Sequence, residues 1–201
     1  MKQVADIDTY RGEFTPEEIN TYPLKRWRGP VHLVNGRKKA KAVAANINGE
    51  SVLGFDTETR PVFKKGMTNP ISLLQLATGD AVYIFQLAST PLFPELTEIL
   101  SDPEIIKSGV SVRDDILELR KLHEFEPAGF VDLGEVAAEH GLKTRGLRNL
   151  AANLLGFRIS KGQRCTNWAR PDLTPKQIEY AATDAWVGRE LYLKMRELGL
   201  A

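Results

Sequence analysis

The sequence predicts an α/β fold in which a mixed β-sheet is flanked by helices and the C-terminal half is mostly helical. Three observations lead to this prediction. Strand and helix patterns alternate from Pro30 onward, a Gly79-Asp80 turn joins two strands as a hairpin, and helical spacing of apolar residues dominates after Asp132. Because the strands come first and include a hairpin, a mixed sheet fits better than a purely parallel one.

Each element follows from a local pattern. Strands are predicted where short apolar runs are bounded by turn residues, and helices where apolar residues recur three and four positions apart. The predicted strands are 31–34, 51–58, 71–78, 81–85 and 105–110, and the predicted helices are 37–47, 95–100, 114–123, 133–140, 146–155 and 175–198. Thr174-Pro175-Lys176-Gln177 is a capping box with proline in the first turn, which gives the clearest helix start.

Length and composition indicate one domain with one core. The chain has 201 residues, of which 42% are hydrophobic, and this is enough for a well-buried interior. Residues 1–29 are polar and weakly periodic, so we predict an N-terminal extension that wraps the domain or forms an arm. Within this extension, Thr15-Pro16 has the pattern of a helix start. Residues 30–201 are predicted to form the domain itself.

Charge is balanced on average but unevenly distributed. The formal net charge is +1, from 27 basic and 26 acidic residues, which says nothing about partners. However, residues 19–49 and 140–171 contain no Asp or Glu and hold seven Lys or Arg each. Either stretch alone is more often a solvated face. Beside an acidic pocket, however, such patches suit a polyanionic substrate.

Several kinds of site and location are excluded or disfavoured. A single cysteine, Cys165, rules out an internal disulfide, and the three histidines lack metal-ligand spacing. No apolar run has membrane-spanning length, and the N-terminus lacks a signal-peptide core. We therefore expect a cytoplasmic protein that does not act at a membrane.

Four carboxylates and one tyrosine carry the chemistry. Asp56 and Glu58 are two residues apart on a predicted strand, so they share one face of it. Tyr180 and Asp184 are four apart on a predicted helix, where they are surface neighbours. Asp115 follows another strand. Like charges gathered in one pocket raise one another's pKa, and a bound divalent cation is the natural remedy.

Oxygen ligands alone select hard cations such as Mg²⁺ or Mn²⁺ over zinc. Two such ions, about 3.5 to 4 Å apart, stabilise both the attacking and the leaving oxygen of a phosphodiester displacement. We therefore hypothesise a two-metal phosphodiesterase. In this hypothesis Asp56, Glu58 and Asp184 hold one metal and its water, while Asp56 and Asp115 hold the second, partly through water. Tyr180 orients the attacking water, because a phenol with a reference pKa of about 10 is a poor base.

Each feature alone has a structural alternative. An Asp-x-Glu at a strand end is common in turns. Asp114 and Asp115 are placed to cap the following helix or offset its dipole. Tyr180 and Asp184 alone fit a helix-surface pair. The joint pattern is much harder to explain in structural terms.

The segments that carry these residues resemble the three exonuclease motifs of the DEDD superfamily, in the tyrosine-containing branch that includes RNase D and the Werner-syndrome protein's exonuclease domain. The motifs are Gly54-Phe55-Asp56-Thr57-Glu58-Thr59 with residues 71–78, then Lys107-Ser108-Gly109-Val110-Ser111-Val112-Arg113-Asp114-Asp115, and finally Thr166-Asn167-Trp168 with Tyr180-Ala181-Ala182-Thr183-Asp184-Ala185-Trp186. The resemblance runs from about Val31 to Leu198 and leaves out residues 1–29.

This resemblance implies a ribonuclease H-like fold and release of nucleoside 5′-monophosphates from 3′ ends, with two Mg²⁺ or Mn²⁺ ions. The family's four acids correspond to Asp56, Glu58, Asp115 and Asp184, and its tyrosine corresponds to Tyr180. Asp114 competes with Asp115 for the second motif, and the spacing from Gly109-Val110 favours Asp115.

Substrate contacts follow from the same resemblance. It implies that the backbone around Thr57 and Glu58 meets the terminal 3′-hydroxyl and that Leu73 wedges the terminal base. Lys161, Arg164 and Trp168 precede the last helix, where a basic loop is placed to grip the strand. Trp168 is a candidate for base stacking, although a tryptophan is at least as often a core residue.

The leading hypothesis is therefore an exonuclease acting on single strands or frayed 3′ ends. A metal-dependent endonuclease is disfavoured by the Tyr180 to Asp184 motif. A catalytically idle nucleic-acid-binding module is the alternative from another class, and loss of an acid would mark it. None of the four is missing. The choice between DNA and RNA, the oligomeric state, and whether the chain is a stand-alone enzyme or one domain of a larger protein stay open.

Overall fold

A computed structural model describes residues 7–47, 49–62, 66–89 and 92–201. The strands are β1 (Val31–Val34), β2 (Val52–Thr59), β3 (Ile71–Ala77), β4 (Val82–Gln86), β5 (Ile106–Gly109) and β6 (Phe130–Asp132). The helices are α1 (Pro16–Thr21), α2 (Arg37–Ile47), α3 (Pro94–Ser101), α4 (Val112–Leu122), α5 (Leu133–Glu139), α6 (Leu147–Leu155) and α7 (Pro175–Glu197), with a 3₁₀ turn at Ile7–Tyr10.

The six strands form one mixed sheet in the order β1-β4-β3-β2-β5-β6. The β2–β3 and β3–β4 pairs are antiparallel, and the β1–β4, β2–β5 and β5–β6 pairs are parallel. Strand β2 therefore lies in the interior of the sheet, between an antiparallel and a parallel neighbour. The predicted mixed sheet is confirmed, and so is the β3–β4 hairpin across Gly79 and Asp80.

Two apolar layers cover the sheet. One face packs against α2, α3 and α4, around side chains such as Phe55, Leu74 and Leu96. The other packs against α5, α6 and α7, around Leu150, Leu191 and the alanines at one end of α7. Because side chains alternate along a strand, Phe55 points to the first layer and its neighbours Gly54 and Asp56 point to α7.

Two elements differ from the prediction. Strand β6 was not predicted, because three residues are too few for alternation to stand out. Helix α4 was predicted to start near Asp114 and begins at Val112 instead. Ser111 precedes it with φ 62°, a left-handed conformation that is unusual for a residue with a side chain. This turn brings Asp114 and Asp115 into the first turn of α4.

The N-terminal segment lies against the domain. Thr15 caps α1 through a reciprocal pair with Glu18, as the Thr15-Pro16 pattern predicted. Ile19 is buried, and residues 23–25 run beside Arg158 as an isolated parallel bridge. Within the described part of the chain, none of the helices is both long and apolar enough to cross a bilayer.

Candidate active site

Three of the four predicted acids converge. Carboxylate oxygens of Asp56, Glu58 and Asp184 all lie within 4.8 Å of one another. Asp56 and Glu58 project from the same face of β2, as their spacing predicted, and Asp184 comes from α7 packed on that face. Residues far apart in the sequence therefore meet because α7 crosses β2.

Glycine makes this close crossing possible. A Cβ placed on Gly54 would lie deep inside the van der Waals radius of the Ala185 carbonyl oxygen, and one on Gly188 would lie 2.7 Å from the Ser108 oxygen. The Ser108 hydroxyl also donates a hydrogen bond to the Gly188 oxygen at 3.1 Å. The backbone of α7 thus touches β2 and β5 directly, which brings Asp184 to the acids of β2.

Asp115 approaches from the other side of β2. Its Oδ1 accepts a hydrogen bond from the Thr57 hydroxyl at 2.7 Å. Thr57 alternates with Asp56 and Glu58, so it points to the layer that contains α4. Asp115 is not one of the three residues whose oxygens cluster within 4.8 Å. Its charge nevertheless raises the pKa of both Asp56 and Glu58, so all four acids share one electrostatic environment.

Asp114 is exposed and lines a different surface cavity, beside Ser111 and Asp132. Asp132 connects the two neighbouring helix starts. Its Oδ2 accepts from the Val112 N–H at 3.0 Å, and its Oδ1 accepts from the Gly134 N–H at 2.8 Å. Because Asp114 lines this other cavity and Asp115 accepts from Thr57, Asp115 is the one of these two neighbours that faces β2.

Burial raises the pKa of every acid in the site. The pKa of Asp56 is well above its ordinary value, first because of burial and then because of the charges of Asp184 and Asp115. Burial followed by the neighbouring carboxylates raises the pKa of Glu58 to about 10. Burial also raises the pKa of Asp184 to about 7, although a hydrogen bond from Tyr180 opposes it. The pKa of Asp115 rises to about 6 by burial.

The residues present suit a divalent cation. The donor set consists only of carboxylate oxygens, which hard cations prefer. The Oδ1 atom of Asp184 is buried and accepts no hydrogen bond from the described residues. Such an orphaned acceptor costs about 1–3 kcal/mol, more when charged, unless a ligand satisfies it. A cation between Asp56, Glu58 and Asp184 would satisfy this oxygen and offset the carboxylate repulsion that, after burial, raises the pKa of Asp56 and Glu58.

Tyr180 is a neutral donor in this environment. Burial, followed by the charges of Asp184 and Glu58, raises the pKa of the phenol above its ordinary value. Its ring packs beside Trp168, with 5.8 Å between the ring centroids. A phenol that keeps its proton donates a hydrogen bond and does not act as a base.

The predicted basic contacts flank the acids. Lys161 and Arg164 are exposed on the loop before α7 and line a cavity of about 340 Å³ together with Asp56, Tyr180 and Asp184. The positive charge of Arg164 is close enough to lower the pKa of Glu58 against the larger raising effects. This loop therefore places positive charge at the mouth of an acidic cavity.

Two predicted base contacts are largely buried, and their role toward a base stays a prediction. Leu73 and Trp168 are each 1% exposed and pack with the alanines of α7. Both also line a cavity of about 520 Å³. The burial of Trp168 favours the alternative, a core residue. The sequence contains no signal that separates a buried tryptophan from a stacking one.

Gln75 is the polar residue that sequence reasoning missed. In the sequence nothing distinguishes it from other strand residues. In the structure its side chain is 0% exposed and lies directly across the β2–β3 pair from Asp56. Directly opposed residues have Cβ atoms about 4.5–5.5 Å apart, so the amide is within reach of that carboxylate. Neither polar atom of the amide has a hydrogen-bond partner among the described residues.

Replacing this glutamine by an apolar residue of similar length should therefore stabilise the protein. For Gln75→Leu we expect a free energy of unfolding higher by about 1–3 kcal/mol without metal, because an unsatisfied buried amide is removed. Gln86→Leu is the matched control, since Gln86 Nε2 donates to the Pro171 oxygen at 2.8 Å and its loss should destabilise. Urea unfolding of both variants measures the effect. A destabilised Gln75→Leu would show that the amide is satisfied in solution.

Comparison with known proteins agrees with this geometry. The 3′-5′ exonuclease family matches residues 31–199. The chain is similar to the mouse protein described as a bifunctional 3′-5′ exonuclease/ATP-dependent helicase, WRN, with 32% identity over 163 residues, covering 78% of this chain and 12% of that protein. It is also 32% identical to Haemophilus influenzae ribonuclease D over 177 residues, covering 84% of this chain and 43% of the relative.

The solved EXO domain of Aedes aegypti Nibbler has a similar fold, with a TM-score of 0.78 and 25% identity, covering 87% of this chain and 93% of that one. The resemblance drawn from the motifs and the fold expected from it are thus confirmed. This chain spans less than half the length of the two curated relatives. What those whole proteins do therefore does not transfer directly.

Proposed function

Because the chain belongs to the 3′-5′ exonuclease family, we propose that it hydrolyses single-stranded or frayed nucleic acid from the 3′ end and releases nucleoside 5′-monophosphates with two divalent cations, Mg²⁺ or Mn²⁺. The observation that carries this proposal is the convergence of Asp56, Glu58 and Asp184 within 4.8 Å around a buried, unpartnered Asp184 oxygen. An idle binding module has no need for such a costly cluster.

The acids would divide between two cations. Asp56, Glu58 and Asp184 would hold one, and Asp56 with Asp115 would hold the second, partly through water because Asp115 lies outside the closest cluster. When bound, the cations supply a more acidic water and stabilise charge on the phosphate oxygens. The Thr57 hydroxyl fixes the orientation of Asp115 by donating to its Oδ1.

The other side chains position the reactants. The Tyr180 phenol, held neutral by its surroundings, donates its proton to Asp184, and its oxygen accepts a hydrogen bond that orients the attacking water toward the phosphate. Lys161 and Arg164 attract the phosphate backbone to the cavity where the acids lie. The backbone of Thr57 and Glu58 meets the terminal 3′-hydroxyl. Leu73 and Trp168 contact a base through the cavity that both of them line.

One assay on end-labelled oligonucleotides tests this proposal. Strands labelled at the 3′ or the 5′ end, as DNA and as RNA, are incubated with Mg²⁺ or Mn²⁺. Shortening from the 3′ end with release of 5′-mononucleotides is the expected result. Internal cuts would indicate an endonuclease, and retention without cleavage would indicate a binding module. Either outcome would overturn the proposal. The matched DNA and RNA strands also determine the preferred substrate.

Tyr180→Phe should separate orientation from cation binding. Removing the hydroxyl takes away one positioned hydrogen-bonding group, so we expect kcat to fall roughly 100-fold. The affinity for Mn²⁺ should stay within about twofold, because the carboxylates are unchanged. Calorimetry and single-turnover cleavage measure the two effects. Tyr83→Phe is the control, because Tyr83 stacks on His32 in β1, outside the candidate site. Equal activity of both variants would exclude the role proposed for Tyr180.

A further inference from the structure

A second groove reaches the catalytic residues from the side of the N-terminal segment. It has a volume of about 450 Å³ and adjoins the cavity that contains Lys161 and Arg164, because Ser160, Tyr180 and Asp184 line both. One wall is formed by the N-terminal segment, another by the loop before α7, and the third by the first turns of α7. The wall residues that bear on a ligand are Leu24, Lys25, Arg26, Pro175, Lys176 and Glu179.

The N-terminal wall is fixed to the domain at both of its ends. At one end, the Lys25 N–H donates to the Arg158 oxygen at 2.9 Å and the Arg158 N–H donates to the Pro23 oxygen at 3.0 Å. At the other, the Trp27 N–H donates to the Thr183 hydroxyl at 3.1 Å. Thr183 precedes Asp184 on α7, so the segment is tied to the catalytic helix. The groove is therefore a preformed feature, and little conformational entropy is lost when a ligand binds.

The wall offers both an apolar surface and positive charge. Leu24 is 54% exposed. Arg26 pairs with Glu179 at 2.9 Å. Lys25 and Lys176 form no ion pair with any described residue, and the Lys25 ammonium lies over the Phe157 ring, 4.8 Å from its centroid. Lys176 lies in the first turn of α7, where the helix dipole disfavours positive charge and acidic residues are absent. The positive charge of Lys176 at this position suits an anionic ligand.

Building on the proposed exonuclease function, we propose that this groove binds one nucleotide unit of the substrate strand next to the scissile phosphate. The base packs on Leu24 and Pro175, and a phosphate contacts Lys25 and Lys176. The volume falls in the usual range for a small-molecule site, about 300–1,000 Å³, which suits a single nucleotide unit. The matched family segment begins at residue 31, so this wall comes from outside it.

Charge reversal tests the groove. Lys25→Glu and Lys176→Glu are made in the cleavage-deficient Asp184→Asn background, and binding of a 5′-fluorescein oligothymidylate is followed by anisotropy over a range of salt concentrations. Each variant should weaken binding roughly fivefold to tenfold and reduce the slope of log affinity against log salt by about 0.7. Lys38→Glu makes the same change of charge on α2, across the sheet, and should leave both quantities unchanged.

Leu24→Ala provides a second test that does not involve charge. It should weaken binding without changing the salt slope, and because Leu24 is exposed the substitution leaves the core intact. With Asp184 present, the groove variants should raise KM for the oligonucleotide and leave kcat unchanged. If the groove variants bind like Lys38→Glu while the unmodified protein shortens strands from the 3′ end, the proposal that the groove binds a nucleotide is wrong and the exonuclease function stands. Failure of the unmodified protein to cleave would overturn the proposed function instead, and the binding measurements would still test the groove.

Discussion

Replacing Asp184 by asparagine is expected to reduce 3′-end cleavage by about 100-fold or more. Even residues that only support metal ligands change affinity or activity by about 10–100-fold, so loss of a charged ligand should have at least the larger effect. Asn keeps the shape of the side chain but lowers the negative charge of the three-carboxylate cluster. Gel assays under single-turnover conditions, with Mn²⁺ calorimetry, measure both losses. The control Asp80→Asn removes an exposed carboxylate from the β3–β4 turn and should behave like the unmodified protein.

The same substitution should raise stability in the absence of metal. Burial raises the pKa of Asp184 from 3.8 to about 7, so the folded state holds a proton that the unfolded state has already released. Stability conferred by this group is therefore present at low pH and is lost as pH rises from about 4 to about 7. One pKa unit corresponds to about 1.4 kcal/mol, and each kcal/mol shifts Tm by about 2–4 °C in a chain of this size.

Thermal unfolding across this pH range, with EDTA, measures the effect. The unmodified protein should lose stability as pH rises, and Mn²⁺ should restore it. Asp184→Asn should unfold at a higher temperature near pH 7, depend less on pH, and respond little to Mn²⁺. A variant that is both inactive and less stable at neutral pH would show that Asp184 supports the fold through a contact that the structure lacks. In that case its role as a ligand would lose its physical basis.

The spacing rules predicted the pairs within the site but not their meeting. A spacing of two residues on a strand placed Asp56 beside Glu58, and a spacing of four on a helix placed Tyr180 beside Asp184. The structure has both arrangements. The convergence of α7 with β2 depends on how close two backbones come, which periodicity does not encode. At the sequence level it was a hypothesis, based on the joint pattern of carboxylates that a cation would tolerate and on the resemblance of the motifs.

Burial was the main quantity that the sequence lacked. Leu73 and Gln75 are alternate residues of β3, and both lie under α7 with 1% and 0% of their surface exposed. From the sequence, the leucine resembled a base contact and the glutamine an unremarkable strand residue. The start of α4 was displaced for a different reason, because the left-handed turn at Ser111 has no local sequence marker such as glycine.

Gly54→Ala is expected to lower the free energy of unfolding by about 3 kcal/mol or more, at the upper end of overpacking effects. The added methyl group would occupy the space of the Ala185 carbonyl oxygen. That oxygen belongs to the helix backbone, so it has no rotamer to change, and β2 is held by strands on both sides. Helix α7 must therefore move away from the sheet, and Tm should fall by about 6–12 °C.

This movement should also weaken cation binding, which distinguishes it from a general loss of packing. Asp184 is adjacent to Ala185, so a shift of α7 separates its carboxylate from Asp56 and Glu58 on β2. Gly12→Ala, where an added Cβ meets no atom within 4 Å, should retain the unmodified Tm and Mn²⁺ affinity. If Gly54→Ala also retained both, α7 and β2 would not be in contact. The acids could then not share a cation, because only that contact brings Asp184 within reach of the strand.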